Sequence, residues 1–505
     1  MSGDVSTDST RRPASLTAQA LSAAYGSLSL SPVDVVEDVA DVVALREPEL
    51  NAFWTYDIES ALYAAERSTA RWRAGAPRSP IDGVPVTVKE NLARAGVPMP
   101  AGNAGVTPAV PQRSSPVVER IEEAGGIILG STVMPDWGML SSGVSSLHGI
   151  TRSPWDPRLT TGGSSSGAGA AAAGGYGPLH VGTDIGGSIR LPGAWLGLTT
   201  LKPSAGRVPL DAPYLGRAAG PMARSAVDAA MLLDVISGPD ARDWTALPAE
   251  QLDLDDLTVG GTYDVAGLRV GLHVDAGCGL PLDPAIREAV EEAARAFEAA
   301  GARVERLEPF LTPQLLRQLD EFWRVRSLVD FDALEPAARE RVLPFIRRWV
   351  EAARGVSAQE LMRDYTSIMR IQQVTVLATD PFDLVLSPVA PVAAFPAEWP
   401  MPWGDVDEGM AHIGFTAPYN MSGQPAATVN CGFLPDGRAI GLQVSGRRFD
   451  DVGVLRAVHW FERRRSPEAT PSWPIPPTRS SEHNPGPHPR SSEQDSGSPA
   501  LGHPE

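Results

Sequence analysis

Cysteine is nearly absent from this chain of 505 residues, which holds only Cys278 and Cys431. Two thiols cannot staple a protein of this size, and neither sits in a C-x-x-C or zinc-like spacing. Histidine is also sparse, with eight residues, three of them near the end (His483, His488, His503). No H-E-x-x-H occurs, so a dedicated metal site is not expected. Basic charge is short as well: 43 Lys and Arg stand against 61 Asp and Glu, a net charge of -18. That balance argues against nucleic acid as a partner, because phosphate neutralisation needs clustered Lys and Arg. No run approaches the ~20 apolar residues that a membrane span needs. The N-terminus lacks the apolar stretch of a secretory signal, and the residues after Arg11–Arg12 are too polar for a twin-arginine leader. A cytoplasmic protein without membrane contact is the expectation.

What is present reads as α/β. The hydrophobic fraction of 43% and charged fraction of 21% are ordinary for a globular chain, and the length allows two domains or one large one. Apolar spacing predicts helices over Val33–Leu45 and Glu59–Ala74. Val84–Val88 reads as a β-branched strand, Pro116–Ala124 as a helix stopped by Gly125–Gly126, and Ile127–Gly130 as a strand. Leu268–Val274 is a predicted strand, and Asp283–Pro284 opens a helix that Gly301 ends, before a strand over Val304–Leu307. Helices are expected over Gln314–Leu328, Pro336–Ala353 and Ala358–Ala378, with a strand at Phe382–Leu386. A hairpin pairs Ala426–Phe433 with Ala439–Val444 about Pro435-Asp436-Gly437, and Asp450–Arg463 closes as a helix. The first thirty residues and the Pro/Ser-rich stretch 466–505 are expected to be loosely ordered or disordered, leaving 31–465 as the folded domain.

The chemistry is concentrated where side chains are smallest. From Thr160 to Gly187 the chain is mostly Gly, Ser and Ala, which suggests backbones packed closely around a buried site rather than a linker. Gly163-Ser164-Ser165-Ser166-Gly167 fits G-x-S-x-G, the nucleophile elbow, centred on Ser165. An elbow follows a strand, however, and Arg158–Thr161 is a poor one, so a plain glycine-rich turn competes with it. That elbow would also need an Asp and a His downstream, and His273, His412 and His459 have no convincing context. Gly186–Gly187 before Ser188 lets bare backbone N–H groups converge on one point, as an oxyanion hole requires. Lys89 ends the apolar strand, either as a snorkelling terminus or as a buried base. A base must be largely neutral, which needs its pKa to fall from ~10.4 toward ~7–8.

These stretches carry a resemblance. Thr161–Arg207, with Thr-Gly-Gly-Ser-Ser-Ser-Gly, Gly-Thr-Asp-Ile-Gly-Gly-Ser-Ile-Arg and Leu-Lys-Pro-Ser-Ala-Gly-Arg-Val, resembles the amidase signature. Gly83–Asn91 resembles the lysine strand of that family, Gly149–Asp156 the approach to the signature, and Phe415–Arg447 its closing hairpin. The resemblance spans Val33–Glu462, with a signature core about 82–207, and implies one α/β/α sandwich with a mixed central sheet. It implies catalytic roles for Ser188 as nucleophile, Ser164 as the bridging serine on a cis peptide, and Lys89 as base. Ser164 and Ser188 stand 24 residues apart, the family's interval. The implied oxyanion hole is the N–H groups of Ile185, Gly186, Gly187 and Ser188. Ser165, Asp184 and Arg190 become supporting residues, and Gly138 becomes a position whose carbonyl meets the substrate amide.

Ser166 and Thr199–Thr200 depart from the family's more usual glycine and Val-Gly, at positions without a catalytic role. The implied activity is hydrolysis of a small amide to acid and amine or ammonia, with no cofactor. A glutaminase subunit of a tRNA-dependent amidotransferase and an inactive binding protein of the same fold are the competing readings. A homodimer is expected by analogy alone. Selectivity is expected from Trp137–Val144, Pro192–Trp195 and the loop Ala390–Met410. Trp399 and Trp403 are read as packing more readily than as pocket walls.

Overall fold

In a computed structural model of the chain, residues 12–254, 257, 263–403 and 409–477 are described. Eleven strands form one mixed sheet: β1 (Phe53–Tyr56), β2 (Pro85–Lys89), β3 (Ile127–Thr132), β6 (Leu179–Asp184), β7 (Thr199–Lys202), β8 (Ala218–Ala223), β9 (Arg269–Leu272), β10 (Arg303–Arg306), β11 (Leu384–Pro388), β12 (Ala426–Phe433) and β13 (Ala439–Gly446). Their order across the sheet is β1-β3-β2-β6-β8-β7-β12-β13-β11-β9-β10, and β4 (Val144–Ser145) pairs with β5 (Gly149–Ile150) separately. β2 runs parallel to both β3 and β6, whereas β6 meets β8, and β12 meets β13, antiparallel. The fold is therefore the helix-flanked mixed α/β sheet that the sequence reading expects.

This topology positions the site. β2 is buried along its whole length, as its near-continuous apolar run requires of a parallel strand covered on both faces. It delivers Lys89 to its carboxyl end. Parallel β6 likewise ends at Asp184 and runs straight into Ile185–Ser188. Both chemistry-bearing ends thus reach the same edge of the sheet, where α/β sheets bind ligands. The helix Ser166–Gly174 is buried at every residue, so only Gly, Ala and Ser fit along it.

Three expectations are corrected by packing. Pro336–Ala353 is two helices, Pro336–Arg339 and Pro344–Glu351, because Pro344 holds Leu343 extended and starts a new helix. Within the first thirty residues, Thr17 caps a helix over Ala18–Gly26, whose Leu21 and Tyr25 are buried, and the Tyr25 hydroxyl donates to Gly83 O at 3.2 Å. Residues 1–11 lie outside the described residues. The Pro-rich stretch packs as far as Pro477: Trp473 meets Trp155 with ring centres 5.7 Å apart, and Asn430 donates to Ala469 O at 2.8 Å. Residues 478–505 lie outside the described residues. Cys278 and Cys431 are unpaired thiols. No helix among the described residues is long and apolar enough to cross a membrane.

Candidate active site

Lys89 is fully buried, and its Nζ donates to Ser164 Oγ at 2.8 Å and to Ser165 Oγ at 3.1 Å. Burial lowers its pKa to about 7, and the cation of Arg217 adds to that fall; the carboxylates of Asp184 and Glu90 oppose it. A snorkelling terminus would reach water, and this amine does not. The Gly163–Ser164 peptide is cis. Ser165 is fully buried, donates to Thr183 O at 3.1 Å and accepts from Thr183 N at 3.2 Å. Gly182 leaves room for it, since a Cβ there would lie 2.7 Å from Ser165 Oγ.

Among the described residues no imidazole is hydrogen-bonded to Ser165 to complete an elbow. His412 Nε2 meets Ser141 Oγ at 2.6 Å, His273 stacks on Phe310, and His459 lies on the helix Asp451–Glu462. Ser165 is thereby a partner of Lys89 and of the β6 backbone.

The loop after β6 is held by one buried ion pair. Arg190 forks onto Asp184, with Nε to Oδ2 and Nη2 to Oδ1 both at 3.0 Å. Asn420 Nδ2 donates to Asp184 Oδ1 at 2.8 Å, and Arg190 continues to Thr416 O and Gln443 Oε1 at 3.0 and 2.8 Å. Burial alone would raise the Asp184 pKa, but the Arg190 charge and these donors hold it well below the usual carboxylate range. Asp184 also accepts from Gly187 N at 2.8 Å and Ile189 N at 3.0 Å. Of the four N–H groups expected to form the oxyanion hole, that of Gly187 is held by Asp184. Among the described residues, the N–H groups of Ile185, Gly186 and Ser188 have no protein acceptor. At φ +128° Gly187 turns the chain in a conformation that side chains rarely adopt.

A cavity of about 30 Å³ opens on this loop, lined by Ile185, Gly186 and Ser188. Of Lys89, Ser164 and Ser188, only Ser188 lines it. Gly138 forms part of the opposite wall, close enough that a Cβ on it would lie 3.2 Å from Ser164 Oγ. Ser165 N donates to Ser188 O at 3.2 Å, which ties the two serine segments together. No hydrogen bond joins the hydroxyls of Ser164 and Ser188 among the described residues.

Trp137–Val144 reaches the cavity through Gly138, Met139, Leu140 and Ser141, and the loop Ala390–Met410 reaches it through Met410. Pro192–Trp195 does not, because Trp195 is buried and donates to Val392 O. Trp399 is exposed on another face, and Trp403 packs against His412 with ring centres 5.3 Å apart. Sequence reasoning missed Trp323 and Arg326, which line the cavity from the helix Pro313–Asp332. The periodicity showed that helix but not what its inner face meets.

The family model described as Amidase matches residues 34–455. The A component of the glutamyl-tRNA(Gln) amidotransferase of Symbiobacterium thermophilum is 32% identical over 487 residues, covering 89% of this chain and 96% of that protein. An acylamidase of Rhodococcus erythropolis is 31% identical over 459 residues, covering 89% of this chain and 95% of the relative. Among solved structures, a bacterial aryl acylamidase belonging to the amidase signature enzymes aligns with a TM-score of 0.80 at 28% identity, over 89% of this chain and 96% of that one.

Proposed function

The chain belongs to the amidase signature family, and we propose that it hydrolyses a carboxylic acid amide through an acyl-enzyme on Ser188. The observation that carries the mechanism is the fully buried Lys89 amine, with its lowered pKa, 2.8 Å from Ser164 Oγ. As the neutral amine it takes the Ser164 proton while Ser164 takes that of Ser188. The Ser188 Oγ–carbon bond forms, and negative charge moves to the former carbonyl oxygen. The N–H groups of Ile185, Gly186 and Ser188, residues that line the cavity, would donate hydrogen bonds to that oxygen.

Collapse of this intermediate breaks the C–N bond. Ser164 protonates the departing nitrogen and recovers a proton from the Lys89 ammonium, so no free amide anion leaves. Water then attacks the Ser188 ester by the same relay and releases the acid. The contact between the Ser164 and Ser188 hydroxyls is the step left for substrate to complete, since catalytic hydrogen bonds tighten in the Michaelis complex.

A second reading draws on the amidotransferase relatives: a glutaminase that passes ammonia to a partner chain. One experiment separates them, ammonia release from a panel of primary amides, glutamine included, by the isolated chain beside Ser188→Ala and Lys89→Ala. Turnover by wild type with a loss of about 10³-fold or more in both variants is expected. An active Ser188→Ala variant would remove the nucleophile assignment. A silent wild type that gains glutaminase activity only with a partner would favour the second reading.

A further inference from the structure

Two arginines near the Ser188 site, one of them lining its cavity, form no ion pair among the described residues. Arg326 lines the cavity one helical turn after Trp323, and its guanidinium lies 4.4 Å from the centre of the Tyr214 ring. Arg217 ends the turn that Tyr214 begins, its N–H donating to Tyr214 O at 2.9 Å. The next residue, Ala218, pairs with Asp184 across the sheet, so this turn is fixed beside the oxyanion loop. The Arg217 side chain reaches only the carbonyl of Asn91, at 3.4 Å. Among the described residues neither arginine forms an ion pair, whereas Arg190, Arg207 and Arg242 each hold a carboxylate.

In a chain with a net charge of -18, the mutual repulsion of Arg217 and Arg326 marks a local positive patch. Burial and repulsion from Arg326 both weaken Arg217's hold on its proton. Arg217 is half-buried, so its unpaired charge is costly, whereas Arg326 is exposed and open to an arriving anion. The cavity is small, about 30 Å³, and Arg326 is the charged side chain among the residues that line it. A substrate group reaching beyond the amide would meet that guanidinium.

Resting on the amidase reading of the same site, we propose that the substrate carries a carboxylate beside its scissile amide, and that Arg326, backed by Arg217, binds it. The planar guanidinium fork matches a carboxylate with two parallel hydrogen bonds, which a neutral amide cannot reproduce. A free ammonium at the same place would be repelled, so an uncapped amino-acid amide is a poor fit.

The test compares each charged amide with a neutral counterpart of similar size. Glutaramate against pentanamide places the carboxylate on the acyl side; N-acetyl-β-alanine against N-butylacetamide places it on the amine side. Binding is measured by calorimetry on Ser188→Ala protein, which needs no turnover, and hydrolysis on wild type. At least one charged amide is expected to bind about tenfold tighter than its counterpart, with the preference shrinking as salt rises. Arg326→Ala in the same background should bring that ratio close to one, and Arg326→Lys should keep part of it. Equal binding within both pairs, or a preference that survives Arg326→Ala, overturns the inference. Neutral amides hydrolysed without any charge preference leave the amidase reading standing alone. Charge-selective binding without hydrolysis of any amide does the reverse.

Discussion

The N–H of Gly187 donates to Oδ1 of Asp184 over 2.8 Å, so the carboxylate that anchors Arg190 also shapes the loop against which an oxyanion would form. The same carboxylate takes the fork of Arg190 and the amide of Asn420. The pair has no access to water, and its value lies in holding Ile185–Ser188 in place. Removing one partner strands a buried charge. Arg190→Ala is accordingly expected to cost about 3–5 kcal/mol in urea unfolding, with Arg190→Lys between it and wild type because the charge stays and the fork is lost. An unchanged unfolding midpoint in Arg190→Ala would show that the loop does not depend on the pair.

Lys89 sets the pH dependence. Burial, helped by Arg217, lowers its pKa to about 7, and the proposed relay needs the neutral amine. The value of kcat/KM for an uncharged amide should therefore rise with pH to a plateau, with a midpoint near pH 7 and no matching limb in Lys89→Ala. Stability should move in the same direction. An unfolded lysine titrates near ~10.4, so between about pH 7 and that value the unfolded chain binds more protons and ΔG of unfolding gains from rising pH. A kcat/KM that falls with pH across this window would assign the base elsewhere.

The segment after Arg465 is expected to contribute to stability as far as Pro477. A Cβ on Gly175 would sit 2.9 Å from Ile475, and Arg12 and Arg46 donate to Pro476 O and Pro474 O at 3.1 and 2.9 Å. A chain ending at residue 465 should lose about 3 kcal/mol relative to one ending at 477, since it uncovers Trp155 and the groove over Gly175. Thermal melts of the two truncations decide it; equal midpoints would mean that these contacts add nothing.

The legible parts of this protein were those in which local sequence carries the geometry. Lys89 at the end of a β-branched strand and Ser188 after two glycines could be picked out because strand ends and bare backbone leave marks within a few residues. The Gly187 N–H bond to Asp184 was hidden, since a consecutive run of glycines does not show which N–H a nearby carboxylate will claim. Trp323 and Arg326 were hidden for another reason: helical spacing in Pro313–Asp332 reveals an inner face but not the site that it meets 135 or more residues along the chain from Ser188. The tail misled through composition, because its prolines outweighed Trp473 and Ile475, the two side chains that fill a groove.

Ser141, which lines the Ser188 cavity, and His412 form a buried hydroxyl–imidazole pair at 2.6 Å. Burial lowers the His412 pKa to about 3, so the ring is neutral in the folded protein. Ser141→Ala leaves the buried Nε2 without its partner, and a cost of about 1–3 kcal/mol is expected. Replacing both partners should be cheaper than the two single changes suggest, so a cycle with His412→Phe should show coupling of at least about 0.5 kcal/mol. The sign with pH is fixed too. An unfolded histidine titrates near ~6.5, so the stability tied to a neutral His412 is complete above that value and declines as pH falls toward 3. His412→Phe should flatten that acid limb, measured as urea midpoints between pH 7 and 4. A limb of unchanged slope in the variant would place the acid sensitivity in other groups, and additive single-mutant costs would mean that the pair does not act as a unit.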